Sequence, residues 1–328
     1  MKKDYKIVLV IGNGFDLDLG LKTSYGDFMD SVFFKKYTEE VVYGIDQKTE
    51  IRDNLFKYLE NKRDLQKWID IETELLKIAT RKRTVTKGGI NKQVPNVSTL
   101  DVEYTFELLH EALCSYLEDL DYSAVNKDAT ALKVLKCIIA HPLSKIVTYN
   151  YTDIYKLESF VGQINCPIDY VHGNILDRSA ILGFQDNVDI DKSFCFMIKS
   201  FSPHFSSHNV RRELLDANEI IFFGHSLGVT DYHYFEDLFK RQSRAGEANE
   251  SLIMRIFTYD EKARRDILFQ LRAMNENRTN MIYGLCDFNV YRTKDNLDQK
   301  DIDKYLAELR LRIQEAKPAP MRVKIGKL

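Results

Sequence analysis

The chain has 328 residues, more than a typical domain of about 100–200, so one large domain with an insertion, or two unequal lobes, is expected. Hydrophobic residues make up 44% and charged residues 29%, with a formal net charge of −2; these values exclude a disordered or membrane-embedded chain and give no bulk electrostatic reason to expect nucleic acid or an anionic membrane as partner. Cys114, Cys137, Cys166, Cys195 and Cys286 are scattered without a C-x-x-C pair, which fits a reducing cytoplasm and argues against a structural zinc site.

The first apolar run, within Lys6–Ile11, is too short for a signal peptide and reads as a buried strand. It runs into Gly12-Asn13-Gly14-Phe15-Asp16, two glycines at a strand-to-helix turn, where backbone N–H groups can meet a phosphate. A dinucleotide fingerprint G-x-G-x-x-G would need a small residue where Leu17 stands, so an ordinary dehydrogenase is excluded and a purely structural turn stays open. Asp16 suits either an N-cap or a ribose hydroxyl, since beside a pyrophosphate its charge would repel. Ser24 and Asp27 have capping-box spacing.

From about Asp30 to Ile139 helical periodicity dominates, including Asp64–Ala79 and Val102–Leu120, and the stretch reads as a helical insertion or lid over the sheet. Within it, Arg81, Lys82, Arg83, Lys87 and Lys92 form a basic segment without interleaved aromatic residues, better read as a solvated loop than as a nucleic-acid contact.

Beyond it, runs at Lys145–Tyr149, Ile168–Val171, Ala180–Leu182, Glu219–Phe223 and Leu252–Tyr259 read as further strands. The first delivers Asn150 to the carboxyl edge of a parallel sheet, where such sheets hold ligands, and the second delivers His172-Gly173 to the same edge. An amide can orient a hydroxyl or a water, and an imidazole can accept a proton near neutrality; the bland alternatives are a helix cap for Asn150 and a satisfied strand-end residue for His172. Glu219–Phe223 runs into Gly224-His225-Ser226-Leu227-Gly228, which matches the G-x-S-x-G nucleophile elbow. A serine esterase would need an acid and then a histidine downstream, yet His233 alone follows, seven residues on, so a ligand-gripping loop is the preferred reading, with Asp231 capping the next helix or binding a hydroxyl. Lys262–Asn275 and Asp298–Ala316 read as helices, and residues 317–328 as a basic tail.

Taken together, IGNGFD, TYNYTD, VHGN with ILGF, and FFGHSLGVTDYHYF resemble the AbiH family of bacteriophage abortive-infection proteins, across Ile11 to Phe235. The set is also similar to the sirtuin-like (SIR2-like) domains of phage-defence enzymes. This resemblance implies a Rossmann-like, mostly parallel α/β sheet formed by residues 1–29 and 140–328, with residues 30–139 as the helical insertion. It implies NAD as substrate or ligand, cleaved at the nicotinamide–ribose bond with Asn150 and His172 as the catalytic pair. Gly12, Asn13, Gly14, Phe15, Asp16, Gly173, Gly224, His225, Ser226 and Asp231 would then surround the nucleotide. Asp16 stands where these domains usually carry serine, and Thr152 where the acid of an Asn-x-Asp motif is usual, with Asp153 following; a sensor that binds NAD or ADP-ribose without turnover is the alternative. The absence of zinc-binding cysteine pairs argues against an acyl-lysine substrate. A phage component is the expected trigger, and a homo-oligomer is compatible. Trp68-Ile69-Asp70-Ile71-Glu72 resembles a W-x-D-x-E feature of the family and is the part of the insertion expected to approach the pocket, the alternative being a core tryptophan beside a solvated acidic face.

Overall fold

The computed structural model describes residues 4–39, 42–43, 50–51, 54–66, 70–80, 99–186 and 188–316. Among these, six strands form one sheet: β1 (Ile7–Ile11), β2 (Ser144–Thr148), β3 (Ile168–Tyr170), β4 (Glu219–Phe223), β5 (Ile253–Thr258) and β6 (Asp287–Arg292). All neighbours pair parallel, in the spatial order β3-β2-β1-β4-β5-β6. That is the 3-2-1-4-5-6 order of the Rossmann sheet, so the chain is a Rossmann-like α/β protein.

The sequence of β1, Ile-Val-Leu-Val-Ile, shows why it sits at the centre. A strand of a parallel sheet is covered on both faces and needs apolar residues on both. Ile7, Leu9 and Ile11 face one core with helices Thr130–Ile138 and Gln299–Glu315, while Val8 and Val10 face the other with helices Val210–Asp216, Tyr232–Gln242 and Glu261–Met274. Each fully buried side chain of this size contributes about 1.5–3 kcal/mol. The sheet layer therefore takes in Thr130–Ile138, a helix from the stretch expected to be insertion.

A third core belongs to the other helices of that stretch. Phe28, Phe34, Phe56, Leu75, Leu109 and Leu113 pack with Ile175, Leu182, Phe184 and Met197, so helices Tyr25–Asp30, Val32–Glu39, Leu55–Gln66, Ile71–Ala79 and Thr99–Glu118 share their core with the loop after β3. The capping box at Ser24 is formed, with the Asp27 N–H donating to Ser24 Oγ and the Ser24 N–H to the Asp27 carboxylate.

Three expectations need correction. Ala180–Leu182 is not a strand: the Ile181 N–H donates to the His172 carbonyl at 2.8 Å, and the segment enters a single bridge between Phe184 and Ile198. Its apolar residues are buried against the third core, which accounts for the strand-like run. The periodicity of Asp64–Ala79 belongs to the ends of two helices, Leu55–Gln66 and Ile71–Ala79. Conversely, the sequence does not predict β6, because on the edge of the sheet its two buried residues, Phe288 and Tyr291, lie on opposite faces among exposed Asp287 and Asn289 and half-buried Val290 and Arg292, with no apolar run or alternation. Trp68, the basic residues 81–92 and the tail 317–328 lie outside the described residues. Among the described residues no helix is long and apolar enough to cross a membrane.

Candidate functional site

The glycine turn after β1 packs directly on the loop after β4. The Gly12 N–H donates to the Phe223 carbonyl and the Gly14 N–H to the Gly224 carbonyl, each at 3.0 Å. A Cβ on Gly14 would lie 2.6 Å from Gly224 Cα, and Gly224 itself has φ +64°, with its own Cβ direction 2.3 Å from the Gly14 carbonyl carbon. Both glycines are thus required by the contact between the two loops, and two of the amides expected to face a phosphate are engaged by carbonyls. Asn13 is exposed, its side-chain carbonyl accepting from Thr23 Oγ at 2.6 Å. Phe15 is 1% exposed and packs edge-on against Phe223, which makes it a core residue.

Asp16 is buried inside the helix Asn13–Asp18, whose N-cap is Gly12, so it is not the cap of that helix. Its carboxylate accepts from Thr152 Oγ at 2.8 Å. Burial, only partly offset by Thr152 and Asn150, raises its pKa to about 7. Nor is Asn150 a helix cap. Asp153 caps the turn Ile154–Leu157 by accepting from the Tyr155 N–H, which gives the displaced acid of the Asn-x-Asp comparison a structural task. Asn150 instead donates its side-chain amide to the Gly12 carbonyl at 3.0 Å, tying the end of β2 to the glycine turn.

His172 follows β3 and is buried. Its Nε2 lies 3.3 Å from Asp231 Oδ1, and His225 Nε2 lies 3.6 Å from Asp231 Oδ2, so one carboxylate sits between two imidazoles. Asp231 occupies the N-cap position of helix Tyr232–Gln242 but makes no side-chain cap bond; Oδ1 is buried without an aligned donor. Although burial pushes its pKa up, the two histidines and the charge of Lys199 hold it well below the usual carboxylate range. The Tyr149 ring stands edge-on to both imidazoles, and its buried hydroxyl has no partner. Burial, then the charge of Lys199, lowers His172 to about 4 despite Asp231, so the ring is neutral at pH 7.

Gly173 holds φ +71° with its Cβ direction 2.0 Å from the Ser179 carbonyl, a position only glycine can occupy. Ser226 is exposed, and its Oγ accepts from the Gly228 N–H at 3.3 Å rather than facing an imidazole. The positive φ of +51° falls on Leu227, not on the serine. Neither feature is that of a nucleophile elbow.

Two further residues join this cluster: Lys199, which belongs to no motif, and Glu72, from the W-x-D-x-E segment expected to approach the pocket. Lys199 is 2% exposed and has its ammonium 3.0 Å from the Glu72 carboxylate and 3.5 Å from both ring nitrogens of His172. Glu72 also approaches Tyr151 Oη at 3.5 Å and is raised to about 7 by burial, against the pull of Lys199. Thus Glu72 is separated from His172 by one ammonium, whereas Asp70 caps the helix Ile71–Ala79 through the Thr73 N–H. The signal for Lys199 was a lone cation inside the apolar run Phe194–Phe201.

Among the described residues no group of three or more His, Cys, Asp or Glu is placed to hold a metal ion. No curated protein matches the chain in sequence comparison. A family model, described as bacteriophage abortive infection AbiH, matches residues 8–249 and so covers every residue of the cluster. With well over half of its length matched, the chain belongs to the AbiH family, and its role is in abortive infection by bacteriophage.

Proposed function

We propose that the chain hydrolyses NAD at the nicotinamide–ribose bond as the damaging step of abortive infection, with a SIR2-like site at the carboxyl edge of the sheet. One observation carries this reading: a sheet of Rossmann order gathers Asn150, His172, His225 and Asp231 at the ends of adjacent strands, where such sheets hold dinucleotides. The Tyr149 hydroxyl, buried without a partner, is a polar atom of the kind a ribose would satisfy. In the reaction the ribosyl C1′–N bond breaks with its electron pair going to the pyridinium nitrogen, and a water oxygen bonds to C1′. Neutral His172 takes the proton that this water loses as the C1′–O bond forms and passes it on to solvent, because burial and Lys199 disfavour a lasting imidazolium. The products are nicotinamide and ADP-ribose.

The test is nicotinamide release from NAD by the purified protein with and without infected-cell lysate. Wild type is expected to release it and His172→Ala to lose at least about 100-fold. NAD left intact by wild type, while a control NAD hydrolase consumes it, defeats the proposal. A second reading, nucleotide binding without turnover, is favoured by the Asn150 side-chain amide being spent on the Gly12 carbonyl rather than free to orient a water. Calorimetric binding of NAD without nicotinamide release, and phage defence that survives Asn150→Ala, would select it.

A further inference from the structure

Lys199 is the buried cation of the site, and no motif accounts for it. Its position is fixed twice over. The backbone is pinned by its N–H donating to the Phe184 carbonyl at 2.8 Å, next to the Phe184–Ile198 bridge. Gly183, which bends the chain beneath it, has φ +142° and could carry no side chain, since a Cβ would lie 2.1 Å from the Met197 carbonyl. At the other end Glu72 approaches the ammonium at 3.0 Å. A lysine held at both ends does not swing out to meet a phosphate; its charge is spent on its neighbours.

We propose that Lys199 is a positioning residue of this site, an ammonium that Glu72 of the helical region holds against His172 so that the imidazole stays neutral, in a single tautomer. The reasoning is donor arithmetic. The ammonium lies 3.5 Å from both ring nitrogens and so sets the charge of the ring without choosing between them; the choice falls to Asp231, whose Oδ1 is 3.3 Å from Nε2. Asp231, held ionised, only accepts, so the ring nitrogen that faces it, Nε2, carries the proton. Nδ1 is then the unprotonated nitrogen. The other groups facing the ring are the Tyr149 ring edge and His225, which shares the Asp231 carboxylate and also acts to lower His172. A second cation beside Lys199 would be repelled, and that repulsion, added to burial, keeps His172 from protonating. Glu72 makes the arrangement depend on the helical region: the sheet supplies His172 and Asp231, while the group that holds Lys199 comes from the helix Ile71–Ala79.

The effect on turnover rests on the NAD-hydrolase reading; the effect on His172 does not. Nitrogen-15 spectra of histidine-labelled wild-type protein are expected to show His172 neutral, as the Nε2–H tautomer, down to about pH 5. Lys199→Met should raise the titration midpoint of His172 by about one pH unit, the size expected for removing a neighbouring like charge. If the wild type hydrolyses NAD, the acidic limb of its rate profile should move up by the same amount in Lys199→Met. An imidazolium or an Nδ1–H tautomer in wild type at pH 6 overturns the proposal, and so does an unmoved midpoint in a folded Lys199→Met. The wild-type spectrum decides the matter even if the variant does not fold. Failure of NAD hydrolysis with the expected spectra would remove the reaction and leave the role of Lys199 intact.

Discussion

The two edges of the sheet each bury a carboxylate, and treat it in opposite ways. At the amino edge Glu219, wholly buried at the start of β4, accepts from Tyr5 Oη at 2.6 Å, Tyr305 Oη at 2.7 Å and both Nε and Nη2 of Arg312 at 3.1 and 2.9 Å. Every lone pair has a donor, and the result fastens the C-terminal helix to the first and fourth strands. At the carboxyl edge Tyr149 Oη has no partner, Asp231 Oδ1 has only the poorly aligned 3.3 Å contact with His172 Nε2, and Asp16 and Glu72 are raised to about 7. Polar groups left incomplete cost stability. The contrast separates a network completed within the fold from one whose polar groups are not.

Removing the amino-edge network should produce the largest change in stability. Glu219→Ala leaves a partly buried guanidinium and two tyrosine hydroxyls without their acceptor, and a loss of about 3–5 kcal/mol in urea unfolding is expected. A loss below about 1 kcal/mol would dissolve the contrast. Asp231→Asn should behave the other way. It removes a charge that the two histidines and Lys199 hold ionised but leaves an amide of the same shape, so the loss of stability should stay below that of Glu219→Ala, at about 2 kcal/mol or less, while nicotinamide release falls roughly 100-fold. If it costs as much stability as Glu219→Ala, the carboxyl edge is structural after all.

The smallest effect is a pH dependence. Asp16 and Glu72 have folded-state pKa values raised from 3.8 and 4.5 to about 7, so between those limits the folded protein binds more protons than the unfolded chain. Their contribution is therefore greatest below the unfolded values and is lost as pH rises through about 7. Wild-type melting temperature should carry a downward component from pH 5 to pH 8, and Asp16→Asn and Glu72→Gln should each flatten it. An unchanged slope in both variants would show that the two carboxylates are ionised at pH 5.

Such differences explain what could be read from the sequence. The core strands β1 and β4 announce themselves as Ile-Val-Leu-Val-Ile and Glu-Ile-Ile-Phe-Phe, because double-sided burial leaves continuous apolar runs. The glycine turn, Asn150 and His172 could be found for a related reason, since each directly follows such a run. The edge strand β6 could not, because its apolar residues follow no regular period. Glu72 could be found only through the family resemblance of its W-x-D-x-E segment, and Lys199 through no motif at all. Their pairing spans 127 residues and depends on the packing of the helical region against the loop after β3, which no local pattern encodes. The match of Gly224–Gly228 to a nucleophile elbow shows the reverse error: the letters agree, yet Gly224 serves the contact with Gly14, and Ser226 meets a backbone N–H.

The register of the central strand also bears on how the protein is made. Ile7 in β1 pairs with Ser144 on one side and with Glu219 on the other, so the central strand is synthesised well before both of its partners. Pairings between such distant segments close slowly. The same order applies to the candidate site. The glycine turn is made early, His172, Lys199 and Asp231 follow in that order, and Asp231 lies beyond β4, the strand that pairs with β1. A nascent chain that stops short of Asp231 therefore lacks the carboxylate that stands between the two imidazoles.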